Sequence, residues 1–197
     1  PDVQVRIDPE NSEILVKGKT VMSGYYNKPA ENEKAFTEDG YFRTGDAGRM
    51  EGNTLFFTER IKDLYKTSNG KYIAPQAIEM VMSGDQYIEQ IAVIGDQRKF
   101  VSALIVPAYS LLEKYAEEKG LAVGSREELV RNKEVLRLIE THIEENQKNL
   151  ASYEKIKRFT LLSEPFTMGS ELTDTLKLRR SVILKKYADS IEKMYEE

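Results

Sequence analysis

The stretch ELTDTLKLRRSVILKKY, Glu171–Tyr187, holds five basic residues, at positions 177, 179, 180, 185 and 186. Lys177 falls just before, or in the first turn of, the last helix that the pattern predicts. A cation there opposes the positive end of the helix dipole, which makes Lys177 only slightly odd as mere decoration. A lysine is a point charge on a long, mobile stem. Such a charge can reach into a neighbouring site and neutralise a phosphoryl group. The plainer alternative is a solvated helix face, and Arg179, Arg180, Lys185 and Lys186 are assigned to it. A second candidate is Asp46 in YFRTGDAG. An ionised carboxylate only accepts hydrogen bonds, which suits the vicinal hydroxyls of a ribose. The alternative is an Asp that caps its own turn. Arg60 and Asp63 in ERIKD are ordinary one at a time, a strand-end Arg and a turn Asp. Gly70, after Asn69, signals a hairpin turn, and its missing side chain would let a ligand approach the backbone. His142, beside Glu140, Glu144 and Glu145, reads as packing at a surface or boundary, because no set of nucleophile and base accompanies it.

These residues need elements to hold them. The first sixty residues are strand-like: VQVRID and SEILVKG alternate around the turn PEN, and EGNT is a hairpin turn between two further strands. GYYNKPAENEKAF reads as a turn followed by a short helix. LYKTSNGKYIAP reads as two short strands around SNG. Pro75 then opens the helix PQAIEMVMSG at the first-turn position that suits proline. QIAVIGD and ALIVP are apolar strands of one small sheet. YSLLEKYAEEKG is a helix with a glycine stop. The segment from Ser125 to Leu150 reads as one helix, opened by a Ser125/Glu128 capping box, with Leu129, Val135, Leu136, Ile139 and Ile143 on one face. YEKIKRFTLL returns to a strand. The chain ends in a helix whose buried stripe is Leu178, Val182, Leu184, Tyr187, Ile191 and Met194. The expected class is α+β: a β-rich segment over residues 1–62, then a small α+β domain over residues 63–197 with a short sheet flanked by helices. The change of regime lies near Arg60–Asp63.

Composition narrows the function classes. The chain has 197 residues, of which 40% are hydrophobic and 31% charged, enough for a core under a charged surface. A net charge of −4 gives no general electrostatic case for nucleic acid. With no cysteine and one histidine, thiolate and multi-histidine metal sites are excluded. No apolar run reaches the roughly 18–20 residues that a membrane-spanning helix needs. The opening PDVQVRIDPE lacks Met and reads like the middle of a β-region, so a C-terminal piece of a longer protein is expected.

Three motifs then occur in a specific order: GYYNKPAENEKAFTEDGYFRTGDAG, RIKDLYKTSNGKYIAPQAIE and ELTDTLKLRR. Together they resemble the C-terminal third of an adenylate-forming acyl-CoA synthetase. The helical insert at 109–150, with YEKIKRFTLL and LTDTLKLRR, is similar to the long-chain fatty acid–CoA ligase branch. The resemblance implies a reaction in two steps: a fatty acid and ATP give acyl-adenylate and pyrophosphate, and CoA then displaces AMP. It implies a small C-terminal domain that swings between the steps. It assigns Asp46 and Arg60 to the ribose of ATP or AMP, Asp63 to the hinge and Lys177 to adenylation. The loop with Lys66, Gly70, Lys71 and Tyr72 would line the pantetheine tunnel of CoA.

The same resemblance implies ATP with Mg and CoA as substrates, with no metal or prosthetic group held by these residues. It implies a large N-terminal domain in cis as partner, a cytoplasmic setting with optional peripheral membrane contact, and no catalysis by this piece alone. Two positions depart from the family pattern: Glu59 stands where Gly is usual, and Asp174 where Pro is common. The competing expectations are a ligase for another acyl or aryl acid, and a non-catalytic interaction domain of the same fold.

Overall fold

The structure is a computed structural model that describes residues 2–196. The chain divides into two compact units between Leu64 and Tyr65, two residues beyond the expected junction. Both are mixtures of strands and helices, as the α+β expectation required.

The first unit is a four-stranded antiparallel sheet in sequence order: β1 (Val3–Ile7), β2 (Glu13–Gly18), β3 (Phe42–Glu51) and β4 (Thr54–Arg60). Short turns join β1 to β2 and β3 to β4, which makes those neighbours antiparallel, while the longer segment 19–41 with its helix joins β2 to β3. The β3–β4 turn is the two residues Gly52–Asn53, between the pair Glu51 and Thr54. Helix α1 (Pro29–Ala35) starts on Pro29, where a missing N–H costs nothing. The apolar core of this unit is small: among the described residues only Ile14, Leu15 and Ala47 are buried hydrophobics. Phe57 is 60% exposed, and Leu55, Phe56 and Met50 are exposed beside it.

The second unit is built on a three-stranded sheet of β7 (Ile88–Ile94), β8 (Val101–Pro107) and β9 (Ile156–Leu161). The central strand β8 is buried at every position. It runs antiparallel to β7 and parallel to β9. A parallel neighbour requires a crossover, and α3 (Tyr109–Glu118), α4 (Arg126–Leu129) and α5 (Lys133–Asn146) supply it. Helix α2 (Pro75–Met82) lies against β7, with Ile78 and Met82 buried. Two final helices follow, α6 (Arg180–Lys186) and α7 (Ala188–Tyr195), with α7 against β9. A two-stranded ribbon, β5 (Tyr65–Lys66) with β6 (Tyr72–Ile73), opens the unit.

Two expected helices are each divided. The segment from Ser125 breaks at Val130–Asn132, because the Asn132 side chain accepts from the Glu134 N–H at 2.9 Å and caps a new helix. Ser125 does cap α4, but Glu128 reaches back to the N–H of Gly124, not to that of Ser125. The final helix breaks at Tyr187. The break resets the buried stripe: Ile183, Ile191 and Met194 point inward, while Leu184 is 42% exposed.

Candidate functional site

On the first unit, Asp46 of β3 faces Arg60 of β4 in register. Arg60 Nε lies 3.1 Å from Asp46 Oδ1, with the side chains 61% and 32% exposed. Apart from that ion pair, the shielded oxygen accepts no hydrogen bond among the described residues. A carboxylate with spare acceptor capacity beside an accessible guanidinium is suited to a diol joined to an anionic group. Gly45, just before it, has φ +73, and a Cβ there would touch nothing, so backbone conformation is what calls for glycine.

Expected at a turn between strands, residues 44–46 instead lie within β3, held by a residue that the sequence did not single out. Glu13 on β2 is 5% exposed. Its carboxylate accepts from the Gly45 N–H at 3.0 Å and from Arg43 Nη1 at 2.9 Å. Thr44 adds a hydroxyl bond to the Ile14 carbonyl at 2.7 Å. Glu59, the departure beside Arg60, is a buried carboxylate, 2% exposed.

Asp63 ends a single 3-10 turn, Ile61–Asp63, one residue short of the unit junction. Beyond it, Lys66 pairs with Tyr72 across the ribbon, and the loop between is closed on itself. The Thr67 N–H donates to the Lys71 carbonyl at 2.9 Å, and the Gly70 N–H to the Thr67 carbonyl at 2.8 Å. Thr67 is buried and its hydroxyl accepts from the Lys71 N–H. The loop rests on the neighbouring turn through Ser68 N–H to the Arg98 carbonyl, 3.0 Å, and Asn69 Nδ2 to the Lys99 carbonyl, 3.4 Å. Gly70 has φ +77 with open space around it. Lys66 Nζ sits 5.1 Å from the Tyr72 ring centre. Lys66, Gly70 and Lys71 are exposed and Tyr72 is half-buried.

Lys177 is not helical. Helix α6 begins three residues later, and Lys177 stands on a hairpin whose base is the antiparallel bridge Leu172–Leu178. The Thr173 N–H donates to the Lys177 carbonyl at 2.9 Å, and the Lys177 N–H to Thr173 Oγ1 at 3.1 Å. Leu176, at φ +61, makes the corner, and Asp174 lies exposed on the turn. The Lys177 side chain is exposed, and its ammonium has no ion-pair or hydrogen-bond partner among the described residues.

One neighbouring cation corrects the solvated-face assignment. Arg180 makes a two-pronged pair with Glu79 of α2, 2.9 Å on each arm, and reaches the Tyr65 hydroxyl at 3.2 Å. Lys186 pairs with Glu171, whose side chain is fully buried. Arg179 donates to the carbonyls of Gly169 and Ser170, each at 3.0 Å. Arg179, Lys185 and Lys186 remain exposed, so only the half-buried Arg180 leaves the solvated face, while Arg179 and Lys186 add specific partners there. Burial pushes the Glu79 carboxyl up despite Arg180. For Glu171, burial also pushes upward, but Lys186 and the Thr167 N–H outweigh it and hold the carboxyl at about 2.

His142 is a packing residue, as its surroundings in the sequence indicated. Its Nδ1 lies 2.8 Å from Asp85 Oδ2, which also accepts from Asn146, and its ring meets Tyr87 edge-on at 4.8 Å. Among the described residues no group of three or more His, Asp or Glu could hold a metal ion, and no helix is long and apolar enough to cross a membrane.

The family described as AMP-binding enzyme C-terminal domain matches residues 62–197. The chain is 35% identical to long-chain-fatty-acid–CoA ligase 5 of Mus musculus, over 93% of the chain and 28% of that ligase. It is 32% identical to the ligase FadD15 of Mycobacterium tuberculosis, over 94% of the chain and 31% of that ligase. Of solved structures, the adenylation domain of a carboxylate reductase from Mycobacterium chelonae matches with a TM-score of 0.66 at 27% identity, covering 99% of this chain and 31% of that one. The chain thus spans under a third of the length of these relatives.

Proposed function

This chain belongs to the AMP-binding enzyme C-terminal domain family of adenylate-forming acyl-CoA ligases, and from that premise we propose that it is the C-terminal part of an ATP-dependent long-chain fatty acid–CoA ligase. In the first step the fatty acid carboxylate attacks the α-phosphorus of ATP, and pyrophosphate leaves. In the second the CoA thiol attacks the acyl carbon, loses its proton, and AMP leaves. Mg²⁺ arrives with the triphosphate as part of the substrate. The long-chain assignment draws on relatives that carry that substrate in their names, at 35% and 32% identity.

The observation that carries the reading is Lys177, an uncommitted ammonium presented by a fixed hairpin. Adenylation gathers negative charge around the α-phosphorus, and a positioned cation stabilises it most where water is excluded. Asp46 takes the ribose hydroxyls and Arg60 supports the same ribose. Asp63 is the hinge: a single 3-10 turn next to a unit boundary can absorb backbone rotation in few residues. Lys66, Gly70, Lys71 and Tyr72 form the wall along which pantetheine passes. The remaining body of the ligase, in cis, supplies the phosphate loop and the acyl pocket.

The test is the full-length protein against a panel of acids. The expected result is pyrophosphate release with ATP and long-chain fatty acids, then AMP and acyl-CoA once CoA is added. Turnover of short or aryl acids alone would overturn the substrate class. No acid-dependent pyrophosphate release with any acid would overturn the ligase.

A further inference from the structure

The hairpin that presents Lys177 is tied down at both ends by carboxylates, one fully buried and one largely covered. At its incoming end, Glu171 is fully buried directly before Leu172, and its carbonyl accepts from the Arg179 N–H at 2.7 Å, closing the base. The Glu171 carboxylate has a full set of donors. Oε2 accepts from the Thr167 N–H at 3.1 Å and the Thr167 hydroxyl at 3.3 Å. Oε1 takes the Lys186 ammonium, with the Tyr187 hydroxyl at 3.5 Å. At the outgoing end, Arg180 is gripped by Glu79, one of whose oxygens also accepts the Val93 N–H of β7 at 2.9 Å.

Arg180 and Lys186 are thus committed to carboxylates and Arg179 to backbone carbonyls, whereas the exposed Lys177 ammonium has no such partner among the described residues. Ion pairs built on a buried carboxylate are a poor route to stability, since desolvating the carboxylate offsets much of the attraction. What such a pair adds is a fixed register. Register matters for a lysine, because a long stem multiplies small movements of its backbone into large movements of Nζ, and a 1 Å misplacement of a reacting group can cost about a hundredfold in rate.

We propose that Glu171, clasped by Lys186, is a positioning residue for Lys177: it anchors the Leu172–Leu178 hairpin so that the ammonium is delivered to one point during adenylation. This rests on the adenylation role of Lys177 proposed above. Glu171 touches no substrate, so its loss changes kcat for adenylation and leaves the binding of ATP and acid alone.

The experiment uses the full-length protein with Glu171→Gln, Lys186→Met, Lys186→Arg and Lys177→Ala, measuring the two half-reactions separately. Glu171→Gln and Lys186→Met are expected to lower kcat for adenylation at least tenfold, with KM for ATP and acid within about threefold. Thioester formation from supplied acyl-adenylate is expected to stay within about threefold, and Lys186→Arg to restore adenylation. If Lys177→Ala is as active as wild type, the role of Lys177 falls, and the anchoring itself is read by hydrogen exchange. The amides of Thr173, Leu176 and Lys177 should then exchange at least tenfold faster in Glu171→Gln, with β8 amides unchanged. Adenylation within threefold of wild type in Glu171→Gln, while Lys177→Ala is crippled, overturns the proposal. So do equal losses in both half-reactions, or unchanged exchange in the hairpin. Should Glu171→Gln fail to fold, the contrast between Lys186→Met and Lys186→Arg decides.

Discussion

Asp46 lies within β3 rather than at a corner between strands, and Lys177 stands on a hairpin three residues before α6. For Asp46 the structure adds a separation between binding and stability. Its pair with Arg60 is accessible to solvent, so it contributes at most about 1 kcal/mol to folding. A charged hydrogen bond to a ribose is worth roughly 1.5–3 kcal/mol. Asp46→Ala should therefore weaken nucleotide binding by the full-length protein about tenfold or more, read by calorimetry, with little change in melting temperature. A variant that binds nucleotide normally would remove Asp46 from the ribose. Asp46 and Lys177 were readable as residues but not in their settings. The carboxylates that fix the geometry were not legible. Glu13 meets Arg43 at 30 residues' separation, Glu79 meets Arg180 at 101, and Glu171 meets Lys186 at 15. No local pattern reports such pairing. The available hint was a charge adjoining apolar runs, Glu13 before Ile-Leu-Val and Glu79 within Ala-Ile-Glu-Met-Val-Met.

Elements whose ends are set by local chemistry were readable. Pro29 and Pro75 open their helices, and Gly52–Asn53 turns the hairpin, because each choice is made within a few residues. The breaks at Asn132 and Tyr187 were not readable, since apolar spacing continues across both while capping and packing interrupt the backbone. The Lys177 hairpin belongs to the same class: basic residues at near-helical spacing concealed a bridge between Leu172 and Leu178. The anchor below it has a pH signature. The Glu171 carboxyl titrates at about 2 in the fold against 4.5 for a free group. Its folded value is depressed, so its stabilisation is complete above about pH 4.5 and is lost as pH falls towards 2. The stability difference between wild type and Glu171→Gln, from denaturant curves, should shrink steadily over that window. A difference independent of pH from 5 to 2 would show that the fold does not depress the Glu171 pKa.

The molecule as a whole is two units of unequal independence. The second carries nearly all the buried hydrophobics, on a sheet whose central strand is wholly covered. Residues 65–197 alone should unfold in a single cooperative transition by heat or denaturant, and a gradual, featureless transition would contradict that. The first unit has few buried apolar residues and an exposed apolar stretch on β4, a feature that commonly marks a contact surface. The 197-residue chain by itself should release no pyrophosphate from ATP and fatty acid. The order of motifs revealed the family, while the acid pocket left no trace in these residues. The central claim is that Lys177 serves one half of the reaction, and the most direct measurement compares Lys177→Ala with wild type in both halves. The account predicts adenylation reduced roughly a hundredfold or more, by loss of a charge-stabilising group, with acyl-CoA formation from supplied acyl-adenylate nearly intact. Undiminished adenylation, or equal loss in both halves, would contradict it.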